Sequence, residues 1–369
     1  MNFLYHGDNL AVMQSLTQKF KVIYADPPYN TKTKRLFDDN LDDWPTFMIP
    51  RLQIMHDLLH DQGAIFISID DTELFRLGIL MDQIFGQINR LPIIIWQKKY
   101  GKQNDCKTIS NNHEYILAYA KNIKLIKIND LPRTPLMDKR YKNIDNDPRG
   151  PWKKADFSKI YTQQNYIYPI TTPSGKITLP PQNRTWARKE ETYLSLLKDN
   201  RIYFGKNGNA KPQLKLFLSE VRQGTVPSSL WTHEEVGHTD KARKELSQII
   251  GPNQFDSVKP KELIARCIQL VANPDDAILD PFAGSGSTAH AVLHLNQQDQ
   301  GLRSFTLIEK EAYCSSITKN RIDRLISGHW HDKIHNPLPS TYSFVNRTSY
   351  DEYRPPDDLE DDPRVKGAV

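Results

Sequence analysis

The sequence predicts an α/β protein built on a parallel sheet, interrupted midway by an inserted region. Three observations predict it. Short apolar stretches of strand length alternate with helical periodicities over residues 1–120. The alternation breaks over 121–230, where Pro, Gly, Asn, aromatic and basic side chains dominate. It resumes over 231–335.

In chain order, Lys21–Ala25 (KVIYA) reads as a buried strand, β-branched and aromatic. Ala64–Ile69 (AIFISI) reads as a second. Asp70 and Glu73 have the spacing of a capping box, and the helix after them places Leu74, Leu77, Met81, Ile84 and Phe85 on one face. Pro92–Trp96 and Tyr115–Ala120 read as further strands. Beyond the insertion, Lys259–Ala272 reads as a helix with Pro260 near its first position and Leu263, Ile264, Cys267, Ile268 and Val271 inward. Ala277–Leu279, Ser287–Leu295 and Ser304–Glu309 continue as strand, helix and strand. Residues 336–369 turn polar and, from Asp351 to Asp362, strongly acidic, which predicts a flexible tail.

The bulk numbers exclude several classes. A chain of 369 residues suggests about two folding units. Nothing approaches the ~18 apolar residues of a membrane span, and the start of the sequence lacks a signal-peptide pattern. Cys106, Cys267 and Cys314 are far apart with no CxxC spacing. That argues against a disulfide framework or zinc site and predicts a reducing cytoplasm. His329-Trp330-His331 has no carboxylate or thiolate at ligand spacing and reads as solvated surface, so no metal is expected. Net charge is +5, but residues 121–230 hold 21 Lys and Arg against 9 Asp and Glu, a local +12. Such asymmetry points to a polyanionic partner; a basic, solvated loop region is the plainer alternative.

Two motifs carry chemistry. Asp26-Pro27-Pro28-Tyr29 follows the first strand. Ligands of parallel α/β sheets bind outside the carboxyl ends of strands. Consecutive prolines lock the backbone and remove two N–H donors, so the loop presents acceptors, with Tyr29 adding an aromatic face. An amino group held there has both hydrogens engaged and its lone pair directed outward. A simple turn after a strand competes with this reading. The second motif, Asp280-Pro281-Phe282-Ala283-Gly284-Ser285-Gly286-Ser287-Thr288, lies between a strand and a helix. Its glycines allow close backbone approach to a ligand at the helix N-terminus. Glu309 ends the next strand, where an acidic side chain accepts from ribose hydroxyls. The pair predicts an adenosine-type cofactor. The GK[ST] lysine of a P-loop is missing, whereas Gly284-x-Gly286-x-x-Ala289 fits the loose dinucleotide pattern and leaves a nicotinamide dehydrogenase open.

Taken together, DPPY and DPFAGSGST resemble the catalytic and cofactor motifs of amino-methyltransferases. DPPY precedes the basic segment and the glycine loop follows it, an order that resembles the beta-class DNA amino-methyltransferases, especially the modification subunits of type III restriction-modification systems. The resemblance runs through YADPPYNT, Trp44, Phe47-Met48, Arg51-Leu52, GAIFISIDDTE, Asn112-His113-Glu114-Tyr115 and Lys259-Pro260-x-x-Leu263, covering roughly 1–120 and 231–325. Gly7-Asp8-Asn9-Leu10 is similar to the family's N-terminal cofactor motif. The chain is shorter than the usual type III modification subunit.

The resemblance implies a Rossmann-like S-adenosylmethionine-dependent methyltransferase sheet with an inserted target-recognition region at 121–230. It implies methyl transfer from S-adenosylmethionine to adenine N6 in a flipped base. Asp26, Pro27, Pro28 and Tyr29 are then catalytic. Asp8, Lys259, Asp280, Phe282, Gly284, Gly286, Thr288 and Glu309 hold the cofactor, Lys259 near its charged end. Asn30, Trp44, Lys98, Lys99, His113, Lys153, Lys154, Arg184 and Arg188 are the expected DNA contacts, with Tyr141, Trp152, Tyr161, Tyr166, Tyr168 and Trp186 interleaved. Double-stranded DNA is the expected partner, and the family allows a second copy or a restriction or other defence subunit. Cytosine-N4 methylation is the alternative within the class, though that group more often carries Ser in place of Asp26. A nicotinamide dehydrogenase leaves DPPY unexplained, and a non-enzymatic DNA-binding protein accounts for the insertion alone.

Overall fold

The computed structural model describes residues 1–32, 36, 39–101, 106–160, 163–255, 257–331 and 333–347. Tyr161 and the acidic stretch 351–362 lie outside them. The chain divides into two compact units, 1–129 with 227–369, and 130–226.

The first unit is built on a nine-stranded sheet. Its strands are β1 Asn2–His6, β2 Phe20–Ala25, β3 Leu59–Ile69, β4 Ile94–Gln97, β5 His113–Ala120, β6 Leu230–Trp231, β7 Ala277–Asp280, β8 Ser304–Glu309 and β9 Tyr342–Asn346. Their spatial order is β6-β4-β5-β3-β2-β7-β8-β1-β9. All pairings are parallel except those of β5, which runs against both β3 and β4. That reversal departs from the all-parallel expectation, since a strand's apolar composition carries no sign of its direction.

The central strands are covered on both faces, so they are apolar without alternation. Val22, Ile23, Ile65, Phe66 and Ile67 are almost wholly buried. Gly63 belongs to this close packing, because a Cβ there would lie 2.7 Å from the Lys21 carbonyl oxygen. Helices α1 Asn9–Gln14, α2 Trp44–Leu58 and α3 Leu74–Met81 cover one face, with Leu77, Met81 and Phe85 in the core as their spacing predicts. Helices α4 Lys261–Val271, α5 Ser287–Asp299 and α6 Asn320–Ser327 pack together on the other.

Three expectations differ locally. The capping box before α3 is not formed; Glu73 is the N-cap without a side-chain cap bond, and its carboxylate pairs with Arg76 and Asn30 instead. Residues 121–129 and 227–230 belong to the first unit rather than the insertion: Asn129 N–H donates to the Leu270 carbonyl, and β6 joins the sheet edge. The polar stretch from 336 is not all tail, because β9 pairs with β1 over Asn2↔Tyr342 to His6↔Asn346. As an edge strand its residues are half-buried, which is why its composition reads as polar.

The second unit, taken by itself, centres on an antiparallel three-stranded sheet of Trp152–Asp156, Gln213–Phe217 and Ile202–Tyr203, with helix Glu190–Lys198. Phe157, Tyr168, Trp186, Tyr193 and Phe204 form most of its core, with Ile170 and Ile202. Tyr141 and Trp152 are also buried. Four of the aromatics expected to interleave with DNA-facing charge, Tyr141, Trp152, Tyr168 and Trp186, are therefore packing residues. A small unit of short strands has few aliphatic residues with which to fill a core, and aromatics fill it here.

Candidate active site

Register places four loops along one end of four adjacent strands, β2-β7-β8-β1. Val22 lies beside Ile278, Asp280 beside Leu307, and His6 beside Glu309. The carboxyl ends of β2 and β7 therefore deliver Asp26-Pro27-Pro28-Tyr29 and Pro281–Gly286 to neighbouring positions. The helices after these two strands, α2 and α5, leave on opposite faces, so a crevice opens between the loops. It is an open cleft lined by both motifs.

On the β2 side, the Tyr29 hydroxyl donates to Asp26 Oδ1 at 2.8 Å and reaches Glu114 Oε2 at 3.2 Å. The Lys259 ammonium lies 2.8 Å from both Asp26 oxygens and 2.9 Å from the Tyr29 hydroxyl. The Pro28 carbonyl accepts from Trp44 Nε1 at 2.6 Å. Burial, then Asp26 and Glu114, push the Tyr29 phenol well above its ordinary range, so it remains a hydroxyl.

On the β7 side, Phe282 and Gly284 line the cleft, facing Phe255 and Tyr313, whose rings meet edge to face at 5.1 Å. Gly284 sits at φ +51°, and a Cβ there would meet nothing nearer than 3.9 Å. The Glu309 carboxylate accepts from the Gly284 N–H at 2.8 Å and from the Glu311 N–H at 3.0 Å. Burial pushes its pKa up to about 7 against those hydrogen bonds.

Residues 20–320 match the family of N6- and N4-type DNA methylases. The chain belongs to that family. The StyLTI Mod subunit of Salmonella typhimurium strain LT2, a type III restriction-modification enzyme subunit, is 32% identical over 95% of this chain and 60% of its own. The type II methyltransferase M.KpnI of Klebsiella pneumoniae is 32% identical over 86% and 82%. The methylase chain thus spans about 60% of the length of the type III subunits it matches. Among solved structures, the M1.HpyAVI–SAM complex is 16% identical, with a TM-score of 0.42 over 87% of this chain and 100% of that one.

Not every expected site residue of the methylase reaches the cleft. Asp26, Pro27, Pro28, Tyr29, Lys259, Phe282, Gly284 and Glu309 line it. Lys259, expected near the charged end of the cofactor, has its ammonium against Asp26. Asp8 instead caps α1, accepting from the Leu10 and Ala11 N–H groups, and pairs with Arg51 at 3.1 Å. Its neighbour Asn9 lines the cleft. Asp280 and Thr288 bond to each other, and Asp280 also accepts from the Phe282 N–H at 3.0 Å, so both shape the loop from within. Burial raises Asp280 to about 7. Gly286, at φ +80°, points its hydrogen at Thr318 rather than the cleft.

The expected DNA contacts of the first unit also divide. Trp44 is 1% exposed and braces Pro28, so it positions the DPPY loop and does not present a surface. The Asn30 side chain donates to Glu73 at 2.9 Å and accepts from the Leu41 N–H at 3.0 Å, fixing its own turn at φ +59°. Lys98 pairs with Glu114 at 3.1 Å. Lys99 and His113 are half-buried, His113 bonding to the Tyr115 hydroxyl at 2.9 Å. In the second unit, Arg184 holds Asp156 and Ser158. The Lys153 and Lys154 ammonium groups lie over Tyr141 and Tyr203. Arg188 is exposed beside a groove shared with Tyr166 and Lys189.

Sequence reasoning named Glu114, Asn9 and Arg51 only as members of matched motifs, without a site role of their own, and missed Phe255 and Tyr313. Glu114 carried a signal, since a carboxylate inside an apolar strand must find a buried partner. Phe255 and Tyr313 carried none. Among the described residues no group of three or more His, Cys, Asp and Glu is placed to hold a metal, and no helix is long and apolar enough to cross a membrane.

Proposed function

We propose that this methylase transfers a methyl group from S-adenosylmethionine to the N6 amino group of an adenine flipped out of duplex DNA. The observation that carries the reading is that the acceptor loop at Asp26 and the glycine loop at Gly284 open into one cleft from adjacent parallel strands. The residues present fit the cofactor: Gly284 leaves space where a side chain would stand, Phe255, Phe282 and Tyr313 offer aromatic walls, and Glu309 retains lone pairs for ribose hydroxyls. When bound, S-adenosylmethionine supplies an electrophilic methyl group on its sulfonium.

The chain's own residues supply the rest. Asp26 and the Pro27 carbonyl accept from the amino hydrogens, the Pro28 carbonyl being committed to Trp44. Engaging both hydrogens turns the nitrogen lone pair out of conjugation with the ring, and positioning does much of the remaining work. Asp26 at the head of the loop favours adenine over cytosine. The basic segment is the proposed target-recognition unit, and a restriction subunit and a second copy of the chain are the proposed protein partners. The test is incubation of unmethylated genomic DNA with tritiated S-adenosylmethionine and nucleoside analysis of the product. Label in N6-methyladenine is expected; label in N4-methylcytosine or none would reject the assignment.

A further inference from the structure

The chemistry above uses Asp26 but gives no part to the three charged side chains linked to it, of which Lys259 and Glu114 are buried. Lys98, Glu114 and Lys259 come from three separate segments of the chain, yet they form a row with Asp26 in which the signs alternate. Asp26 meets Lys259 at 2.8 Å, Lys259 meets Glu114 at 3.4 Å, and Glu114 meets Lys98 at 3.1 Å. Lys259 is 7% exposed and Glu114 9%. Both Asp26 oxygens lie within hydrogen-bond distance of the one ammonium.

We propose that Lys259 is a positioning residue that holds both Asp26 oxygens fixed as acceptors, with Glu114 and Lys98 as the counter-charges that let Lys259 remain buried. The proposal rests on Asp26 being the group that accepts from the base. A protonated Asp26 would present a donor to an amino group and could no longer engage its hydrogen through that oxygen. Without Lys259, two carboxylates would share the Tyr29 hydroxyl, which bonds to Asp26 at 2.8 Å and to Glu114 at 3.2 Å. Like charges so placed drive one of the pair to take up a proton.

The charged and titratable groups facing Asp26 are therefore Lys259, Tyr29 and Glu114, together with Tyr24 from the strand leading into it and Asp280 from the neighbouring one. The balance of their effects agrees with the geometry. Burial pulls the Lys259 pKa down, but Asp26 and Glu114 outweigh it and hold it above the usual lysine value. Burial pushes Glu114 up, but Lys259 and Lys98 outweigh it and hold it below the usual carboxylate value.

The experiment measures single-turnover methyl transfer to unmethylated genomic DNA against pH, and S-adenosylhomocysteine affinity by calorimetry, for wild type, Lys259→Met, Glu114→Gln and the double variant. An inactive wild type sinks the methyltransferase reading itself. With an active wild type, Lys259→Met should lose transfer by about 100-fold or more at neutral pH. Its cofactor affinity should hold, and its acidic limb should move to higher pH. The double variant should regain about tenfold over Lys259→Met, one pKa unit's worth, because Asp26 then faces no second carboxylate. Glu114→Gln alone should move the acidic limb to lower pH, which keeps the test open even if Lys259→Met fails to fold. A wild-type pH profile in Lys259→Met overturns the proposal. So does a cofactor-affinity loss with intact rate at saturating cofactor, a double variant no better than the single, or an unmoved limb in Glu114→Gln.

Discussion

The Ser287 hydroxyl donates to the Lys259 carbonyl oxygen at 2.8 Å, tying the glycine loop to the residue that grips Asp26. Ser287 also accepts from Arg321 at 2.9 Å. Arg321 is fully buried and reaches the Ser285 carbonyl and His290 as well. The Thr318 hydroxyl holds the Gly284 carbonyl at 2.6 Å. The loop is thus fastened from behind while its front faces the cleft. Ser287→Ala should leave the Lys259 carbonyl without this donor and deprive Arg321 of an acceptor. The expected cost is about 1–3 kcal/mol of stability, read by urea denaturation, with slower methyl transfer. Unchanged stability and rate would show the link to be idle.

Asp26→Ala should reduce methyl transfer by at least about 100-fold, the scale of losing an oriented hydrogen-bonding group at the reacting centre. S-adenosylhomocysteine should still bind, because Phe282 and Gly284 come from a different strand. Asp26→Asn should also slow transfer, since it keeps one acceptor oxygen but turns the other into a donor that meets the Lys259 ammonium. Calorimetry and radiolabel transfer read the two properties separately; wild-type turnover in either variant would refute the catalytic role.

The two glycines should fail differently. Gly284→Ala places its methyl on the cleft wall, so cofactor affinity should fall, with the cost of a left-handed alanine about 1–2 kcal/mol. Gly286→Val places its side chain 3.3 Å from Thr318 Cγ2 on a left-handed backbone, so the folded loop itself should be strained. Its thermal midpoint should drop more than that of Gly284→Ala, and cofactor affinity should fall through loop distortion. Equal midpoints would contradict this division.

Glu309 gives a pH signature. Its folded pKa of about 7 lies above the ordinary carboxylate value, so the folded state favours the protonated form. The penalty is absent below the unfolded pKa, grows as pH rises through the window from about 4.5 to about 7, and then levels near 3 kcal/mol. Glu309→Gln removes it. The difference in thermal midpoint between variant and wild type should therefore shift in favour of the variant between pH 5 and pH 8. A difference that is flat in pH would mean the carboxyl titrates normally.

How much of this was legible depended on what each residue type can announce. The strands at Lys21–Ala25 and Ser304–Glu309 announced themselves because buried parallel strands are continuously apolar. The strand at Tyr342–Asn346 did not, because an edge strand with half-buried residues looks like polar tail. Asp26 and Gly284 were readable from motifs. Trp44 and Lys259 were seen as important, but their partners, the Pro28 carbonyl and Asp26, were not, since a long side chain's partner is set by tertiary placement. Asn30 and Arg184, both polar and near expected interfaces, turned out to spend hydrogen bonds inside the protein, on Glu73 and Ser158.

The basic unit should separate arginines from lysines. Seven of the nine carboxylates in 121–230 pair with Arg133, Arg149, Arg184, Arg201, Arg222 or Lys215. The excess positive charge therefore resides mainly on lysines. Lys154 is exposed, with its ammonium over Tyr203, whereas Arg184 grips the Asp156 carboxylate at 2.7 Å and the Ser158 hydroxyl at 2.8 Å. If the unit contacts phosphates through its lysines, Lys154→Ala should weaken DNA binding with no loss of melting temperature. The slope of log affinity against log salt should also become shallower by about 1, one released counterion. Arg184→Ala should lower the melting temperature of the unit and leave the salt slope alone. Exchanging residues 130–226 for the corresponding segment of a relative should then move methylation to a new sequence without changing the methylated base. An active exchange variant that keeps the original site would reduce the segment to a solvated basic region, and target choice would have to reside in the first unit.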